Sequence, residues 1–121
     1  MSAAAEPRSA PPTLQLAALA DDTRWRILEL LGVGARSASE LARELPVSRQ
    51  AIAKHIAVLE AAGLVSSERQ GRALRHRAIG ASLSDLAGRL DAIGRQWDAR
   101  LERLAERAEA TASAGEGATR P

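Results

Sequence analysis

Residues 37–79 read "SASELARELPVSRQAIAKHIAVLEAAGLVSSERQGRALRHRAI" and decide the fold. Ser37 followed by Glu40 is a capping-box pattern that opens a helix, with Leu41 and Leu45 facing inward and Pro46 ending it. Ser48 is a second N-cap, and the helix behind it runs to Gly63, a natural C′ residue. "LVSSERQ" and "ALRHRAI" then flank Gly71 as two short strands. Helix, turn, helix, hairpin is therefore the expected order.

At about 100° per residue the second of these helices divides into two faces. Ala51, Ile52, His55, Ile56, Val58 and Leu59 fall on one arc, and Arg49, Gln50, Ala53, Lys54 and Ala57 on the other. The polar arc has its donors near the N-terminal end and small alanines elsewhere, so the helix can approach a surface closely while its long side chains reach ahead. An ordinary amphipathic surface helix would carry alternating acids and bases, but here Glu60 is the only acid. A helix of this kind can enter the major groove of DNA. Arg49 then suits a guanine O6/N7 edge and Gln50 an adenine N6/N7 edge, while Ser48 at the helix start suits a phosphate. Lys54, the only lysine, lies on the same face and is assigned to a phosphate. Around the hairpin tip, Arg69, Gly71, Arg72 and Arg75 are expected to lie along phosphates or enter the minor groove. The other reading of these arginines is protection of an exposed strand edge. His55 reads as a packed side chain with a satisfied ring nitrogen, and His76, among arginines, as exposed.

Outward from this stretch, composition narrows the class. The 121 residues are 45% hydrophobic but only 2% aromatic, with no Phe or Tyr, so the core must be aliphatic and mainly helical. No cysteine is present, which removes disulfides, thiolate metal sites and thiol nucleophiles. No apolar run approaches the 18 or so residues of a membrane span and no secretory leader is evident, so a cytoplasmic protein without a membrane partner is expected. The net charge of +2 conceals a division: residues 48–77 carry +4, whereas residues 13–47 and 78–110 each carry −1. A basic patch on an otherwise balanced chain marks a polyanion ligand.

"TLQLAALA" at 13–20 reads as a first helix. Asp21 or Asp22 caps the next, "TRWRILELL", with Ile27, Leu28 and Leu31 inward and Gly32 as its stop. From Ser82 to about Ala108 a long helix carries Leu83, Leu86, Leu90, Ile93, Trp97, Leu101 and Leu104 every three or four residues. Its length of roughly 40 Å exceeds what so small a domain can cover. A second copy of the chain is the economical partner for the excess stripe, because a two-fold axis also places two recognition helices on a palindrome. Leu14 and Ala17 of the first helix are expected in that interface, with Trp97 as its anchor. The expected organisation is a disordered leader at 1–12 and a domain at 13–108, with a disordered tail at 109–121. Within the domain the helix-turn-helix occupies 37–62, the hairpin 64–79 and the dimer helix 82–108.

Three stretches, "LAALADDTRWRILELL" (16–31), "SASELARELPVSRQAIAKHIAVLEAAGLV" (37–65) and "ERQGRALRHRA" (68–78), resemble the ArsR-type (ArsR/SmtB) winged-helix repressors of bacteria. The resemblance runs over about residues 14–105, with motifs, order and spacing in agreement. It implies a mainly α winged helix-turn-helix (α-α-α-α-β-β-α) with a long C-terminal dimerisation helix. It also implies a homodimer that binds an operator and blocks transcription until a signal, here an unknown inducer, weakens the complex. Ser48, Arg49, Gln50 and Lys54 match the family's recognition-helix positions, and Arg69, Gly71, Arg72 and Arg75 match its wing. Metal-sensing members use Cys, or His with carboxylates on the first or last helix. This chain has no Cys and no His in those helices, so no regulatory metal and no cofactor is expected. Asp85, Asp91 and Asp98 are expected to form helix-surface ion pairs. The ending "RQWDARLERL" (95–104) resembles the branch without a recognised metal site.

Catalysis finds no support in the residue order, which shows neither a Ser–His–acid grouping nor a Gly-rich phosphate loop. The remaining alternative is a winged helix used only for dimerisation or protein interaction, without operator binding. Steep salt dependence of duplex binding separates the two.

Overall fold

The structure, a computed structural model, describes residues 10–119. Helices α1 (Thr13–Leu19), α2 (Asp22–Val33), α3 (Ala38–Glu44) and α4 (Arg49–Ala61) precede the hairpin of β2 (Val65–Gln70) and β3 (Ala73–Ala78). A two-residue strand, β1 (Arg36–Ser37), stands between α2 and α3, and α5 (Gly80–Thr119) closes the chain. One compact unit ends at Ser84; a second, wholly helical, begins at Asp85.

Local chemistry accounts for the helix ends. Asp21 starts α2 by accepting from the backbone N–H of Arg24 at 3.0 Å. The same hydrogen bond, helped by the Arg24 charge, holds the Asp21 carboxyl below its ordinary range. Ser37 and Glu40 complete the capping box reciprocally, at 3.1 Å and 2.8 Å, and Ser48 caps α4 through Ala51 N–H at 3.1 Å. Donation from Ser37 N–H, with Arg75 nearby, lowers the Glu40 pKa. Both carboxylates therefore contribute stability above their ordinary pKa range that is lost as the pH falls through their lowered values.

The end of α2 corrects the sequence reading. Gly32 does not stop the helix, which continues to Val33 with Gly34 as C-cap. The reason is Arg36, whose Nη1 donates to the Leu30 carbonyl and, at 2.9 Å, to the Gly34 carbonyl. A cation thus satisfies the exposed carbonyls at the negative end of the helix dipole. Arg36 also pairs with Glu44 at 2.6 Å, joining the end of α2 to the end of α3.

The core is aliphatic, as composition requires. Ile27, Leu28 and Leu31 of α2, Leu41 of α3, and Ile52, Ile56 and Leu59 of α4 pack with Ala18, Ala62, Leu64 and Val65. Neither tryptophan belongs to it; Trp25 and Trp97 are both about half exposed. The three-stranded antiparallel sheet has the order β1-β3-β2, with Arg36 opposite His76 and Ser67 opposite His76 on the other side. Gln70 pairs with Ala73, leaving Gly71 and Arg72 as a two-residue turn; the φ of +63° at Gly71 is one that glycine adopts freely. Gly63, at φ +74°, ends α4 in the left-handed conformation.

Two further expectations change. Val58, placed on the apolar arc, is 41% exposed, because it lies about 120° around the helix from Ile52. The long helix does not end near Ala108 in a disordered tail but is helical to Thr119. Ala108, Ala110, Ala112 and Ala114 favour this: alanine is the strongest helix former, and the two interruptions at Gly115 and Gly117 cost only about 1 kcal/mol each. Of the expected disordered leader, residues 1–9 lie outside the described residues.

Ser37→Ala removes the α3 cap and its reciprocal partner, and is expected to cost about 1 kcal/mol of unfolding free energy. A urea titration at neutral pH should show a lower midpoint with an unchanged slope.

Candidate nucleic-acid interface

The interface begins with the apolar face of α4. Ile52 and Leu59 are fully buried and Ile56 nearly so, which turns Arg49, Gln50, Ala53, Lys54 and Ala57 outward; all five are exposed. No acid occupies the first turn of α4, so apart from the Ala51 amide that Ser48 caps, no carboxylate offsets the positive end of its dipole. Behind the helix, Arg24 donates through Nε to the Ala18 carbonyl at 2.6 Å and through Nη1 to His55 Nδ1 at 3.4 Å. His55 is half-buried in this bracing network, 4.0 Å from Asp21, in keeping with a structural side chain.

The wing stands beside that outward face. A cleft of about 620 Å³ separates them, walled by Arg49, Ala53 and Ile56 of α4 and by Arg69, Arg72 and Leu74 of the hairpin. Ser37 and Ser39, at the start of α3, line it as well, and His76 and Glu60 complete it. Of the eight residues expected to meet a polyanion, the structure thus brings Arg49, Arg69 and Arg72 to one cleft. Ser48, Gln50 and Lys54 lie exposed along the same N-terminal stretch of α4, and Gly71 is exposed at the tip of the wing.

Ion pairing separates the cations into two groups. Arg75 is half-buried: its Nη1 lies 3.2 Å from Glu40 Oε1 and its Nη2 donates to the Ala35 carbonyl at 2.7 Å. It ties the wing to the start of α3, a bracing role that the sequence reading did not assign to it. Arg77 faces Glu68 at 3.9 Å. Among the described residues Arg49, Lys54, Arg69 and Arg72 form no ion pair. Four cations without an ion-pair partner on two adjacent elements leave a local positive potential, with Glu60 the one carboxylate lining the same cleft.

His76 corrects an expectation. It is buried, 6% exposed, with Nδ1 2.6 Å from Ser67 Oγ, and Ser67 in turn bonds the Glu60 carboxylate. Burial pushes its imidazole below the ordinary histidine value, with the Glu60 carboxylate pulling the other way. The arginines on either side concealed this, since a period-two strand sends them to the face opposite His76. Among the described residues no three His, Cys, Asp or Glu side chains lie together as a metal would require.

Comparison with known proteins finds helix-turn-helix relatives. The family described as "Helix-turn-helix domain" matches residues 19–68. The HTH-type transcriptional regulator Rv2034 of Mycobacterium tuberculosis is 50% identical over 54 residues, which are 45% of this chain and 50% of that protein's length. The HTH-type transcriptional regulator CmtR of Mycobacterium bovis is 34% identical over 91 residues, 75% of this chain and 77% of that one. A solved ArsR-like transcriptional regulator from Rhodococcus sp. RHA1 superposes with a TM-score of 0.68 at 53% identity, covering 77% of this chain and 88% of that chain.

Arg49→Ala is expected to cost about 1–3 kcal/mol on the preferred duplex and to relax preference at a single base position. Lys54→Ala should weaken every duplex alike and lower the salt slope by about 1. Fluorescence-anisotropy titrations on matched and base-substituted duplexes read both effects.

Proposed function

The chain belongs to the ArsR-type family of winged helix-turn-helix transcriptional regulators, and from that premise we propose that it is a homodimeric repressor of a palindromic operator. The four unpaired cations on α4 and the wing carry this reading. Arg49 and Gln50 read base edges, while Ser48, Lys54, Arg69 and Arg72 hold phosphates, with Gly71 letting the wing backbone come close. Arg75 supports the wing from beneath. A dimer seated on its operator occludes the polymerase, and a signal that favours the unbound conformation relieves the block.

The dimer reading rests on the second unit, a lone helix from Asp85 onward. Leu90, Ile93, Trp97, Leu101 and Leu104 repeat along one stripe and are each 45–65% exposed, while Leu86 is buried. One helix cannot cover its own stripe. Five large apolar side chains in line make an exposed patch of the kind that marks a partner surface. Beside it, Arg95 pairs with Asp91 at 3.2 Å as an exposed i,i+4 helix pair. Leu14 and Ala17 of α1, also exposed, are assigned to the same interface.

Selection from a random duplex pool tests the operator. It should enrich a palindrome whose half-sites lie about 10 base pairs, or a multiple of that, apart. A single unrepeated motif, or no enrichment at low salt, would contradict the reading.

Trp97→Ala tests the interface. Removing a central aromatic anchor should cost about 2 kcal/mol, weakening self-association roughly 30-fold by sedimentation. An unchanged dimer would remove Trp97 from the interface.

A further inference from the structure

One polar chain remains that DNA contact leaves unexplained. Ser67 and His76 are directly opposed on β2 and β3, so their side chains leave the sheet on one face. Glu60 meets them from the last turn of α4. Among the described residues His76 is the only buried polar or charged side chain. A leucine or phenylalanine would fill the same space without a burial penalty, so the ring's hydrogen bonds need a reason of their own.

The directions of those bonds follow from the groups. A carboxylate only accepts, so the single hydroxyl proton of Ser67 is donated to Glu60. The Ser67 oxygen must then accept from His76, which places a proton on Nδ1 of the imidazole. The other charges near His76 are occupied elsewhere: Arg36 opposite it on β1 bonds Glu44 and the end of α2, and Arg75 and Arg77 beside it pair with Glu40 and Glu68. The cleft arginines Arg49, Arg69 and Arg72 face solvent. Glu60 therefore lies at the end of a directional chain that starts in the wing and finishes on the recognition helix.

We infer that the His76–Ser67–Glu60 chain is a latch that sets the distance and angle of the wing relative to α4, with His76 and Ser67 as positioning residues that do not themselves touch DNA. The inference rests on the reading of α4 and the wing as one DNA-binding surface. Hydrophobic packing alone lets a hairpin slide or tilt, whereas a hydrogen-bonded chain has one length and one direction. A fixed wing offers Arg69 and Arg72 to phosphates while Arg49 is seated in the groove. A loose wing leaves them bound only part of the time.

The test uses the full chain and three variants. In the wild type, long-range ¹⁵N–¹H spectra should show the neutral His76 ring protonated on Nδ1. Ser67→Ala should lose that tautomer, keep the circular dichroism spectrum, bind duplex DNA several-fold more weakly and lower the salt slope by about 2, the share of two phosphate contacts. Ser67→Thr, which keeps the hydroxyl on a strand-compatible residue, should restore both tautomer and slope. A wild-type ring protonated on Nε2, or a Ser67→Ala slope equal to that of the wild type, would overturn the latch. The Arg69→Ala/Arg72→Ala double variant separates the two levels. If its slope also equals the wild type, the wing does not meet DNA and the underlying reading fails with the latch, whereas the tautomer reports on the chain without any DNA present.

Discussion

The burial of Ile52, Ile56 and Leu59 is the constraint on which the rest of this structure depends. Each such side chain contributes roughly 1.5–3 kcal/mol when removed from water, so the three together rival the ~5–15 kcal/mol of net stability of a whole domain. That fixes the roll of α4 about its own axis. A rotation by a single residue's angle would expose aliphatic surface and press charged side chains toward the core, and the second effect is the dearer one. The exposed arc of Arg49, Gln50 and Lys54 is thus positioned by the opposite face, and no feature of the polar residues themselves is needed to aim them.

Arginine does three different jobs in this fold, and only geometry distinguishes them. Arg24, Arg36 and Arg75 are bracing residues whose guanidinium groups satisfy backbone carbonyls at element ends, where several donors in a rigid fork are useful. Arg77 and Arg95 sit in exposed ion pairs that contribute little. Arg49, Arg69 and Arg72 have no acidic partner and share one cleft. The basic surplus of the middle third is therefore narrower than a count suggests. What remains unpaired either lines the cleft between α4 and the wing or lies exposed beside it.

Much of this was legible in the residue order because the relevant physics is local. N-caps at Asp21, Ser37 and Ser48, the stop at Pro46 and the turn at Gly71 depend on a few neighbouring atoms, and each lies where the pattern places it. What escaped was non-local. Strand β1 is two residues long and carries no periodicity; it exists because β3 pairs with it. The extension of α2 past Gly32 needs Arg36 folded back on it. Arg75 and His76 exchanged their expected surroundings, the arginine turning toward Ala35 and Glu40 and the imidazole toward Ser67, since alternation along β3 outweighs residue type. Of the cleft, the arginines could be named in advance, but the Glu60–Ser67–His76 chain could not. Its members come from three elements, and none is unusual in its own neighbourhood.

In the proposed complex the outward arc of α4 and the tip of the wing meet DNA as one surface. Backbone amide shifts of the ¹⁵N-labelled chain, followed as a short duplex is added, address it most directly. Perturbations are expected in two groups only, Ser48 to Ala57 on α4 and Arg69 to Ala73 on the wing, moving together with one binding curve. Perturbations centred on α5, or movement of one group while the other stays still, would contradict it.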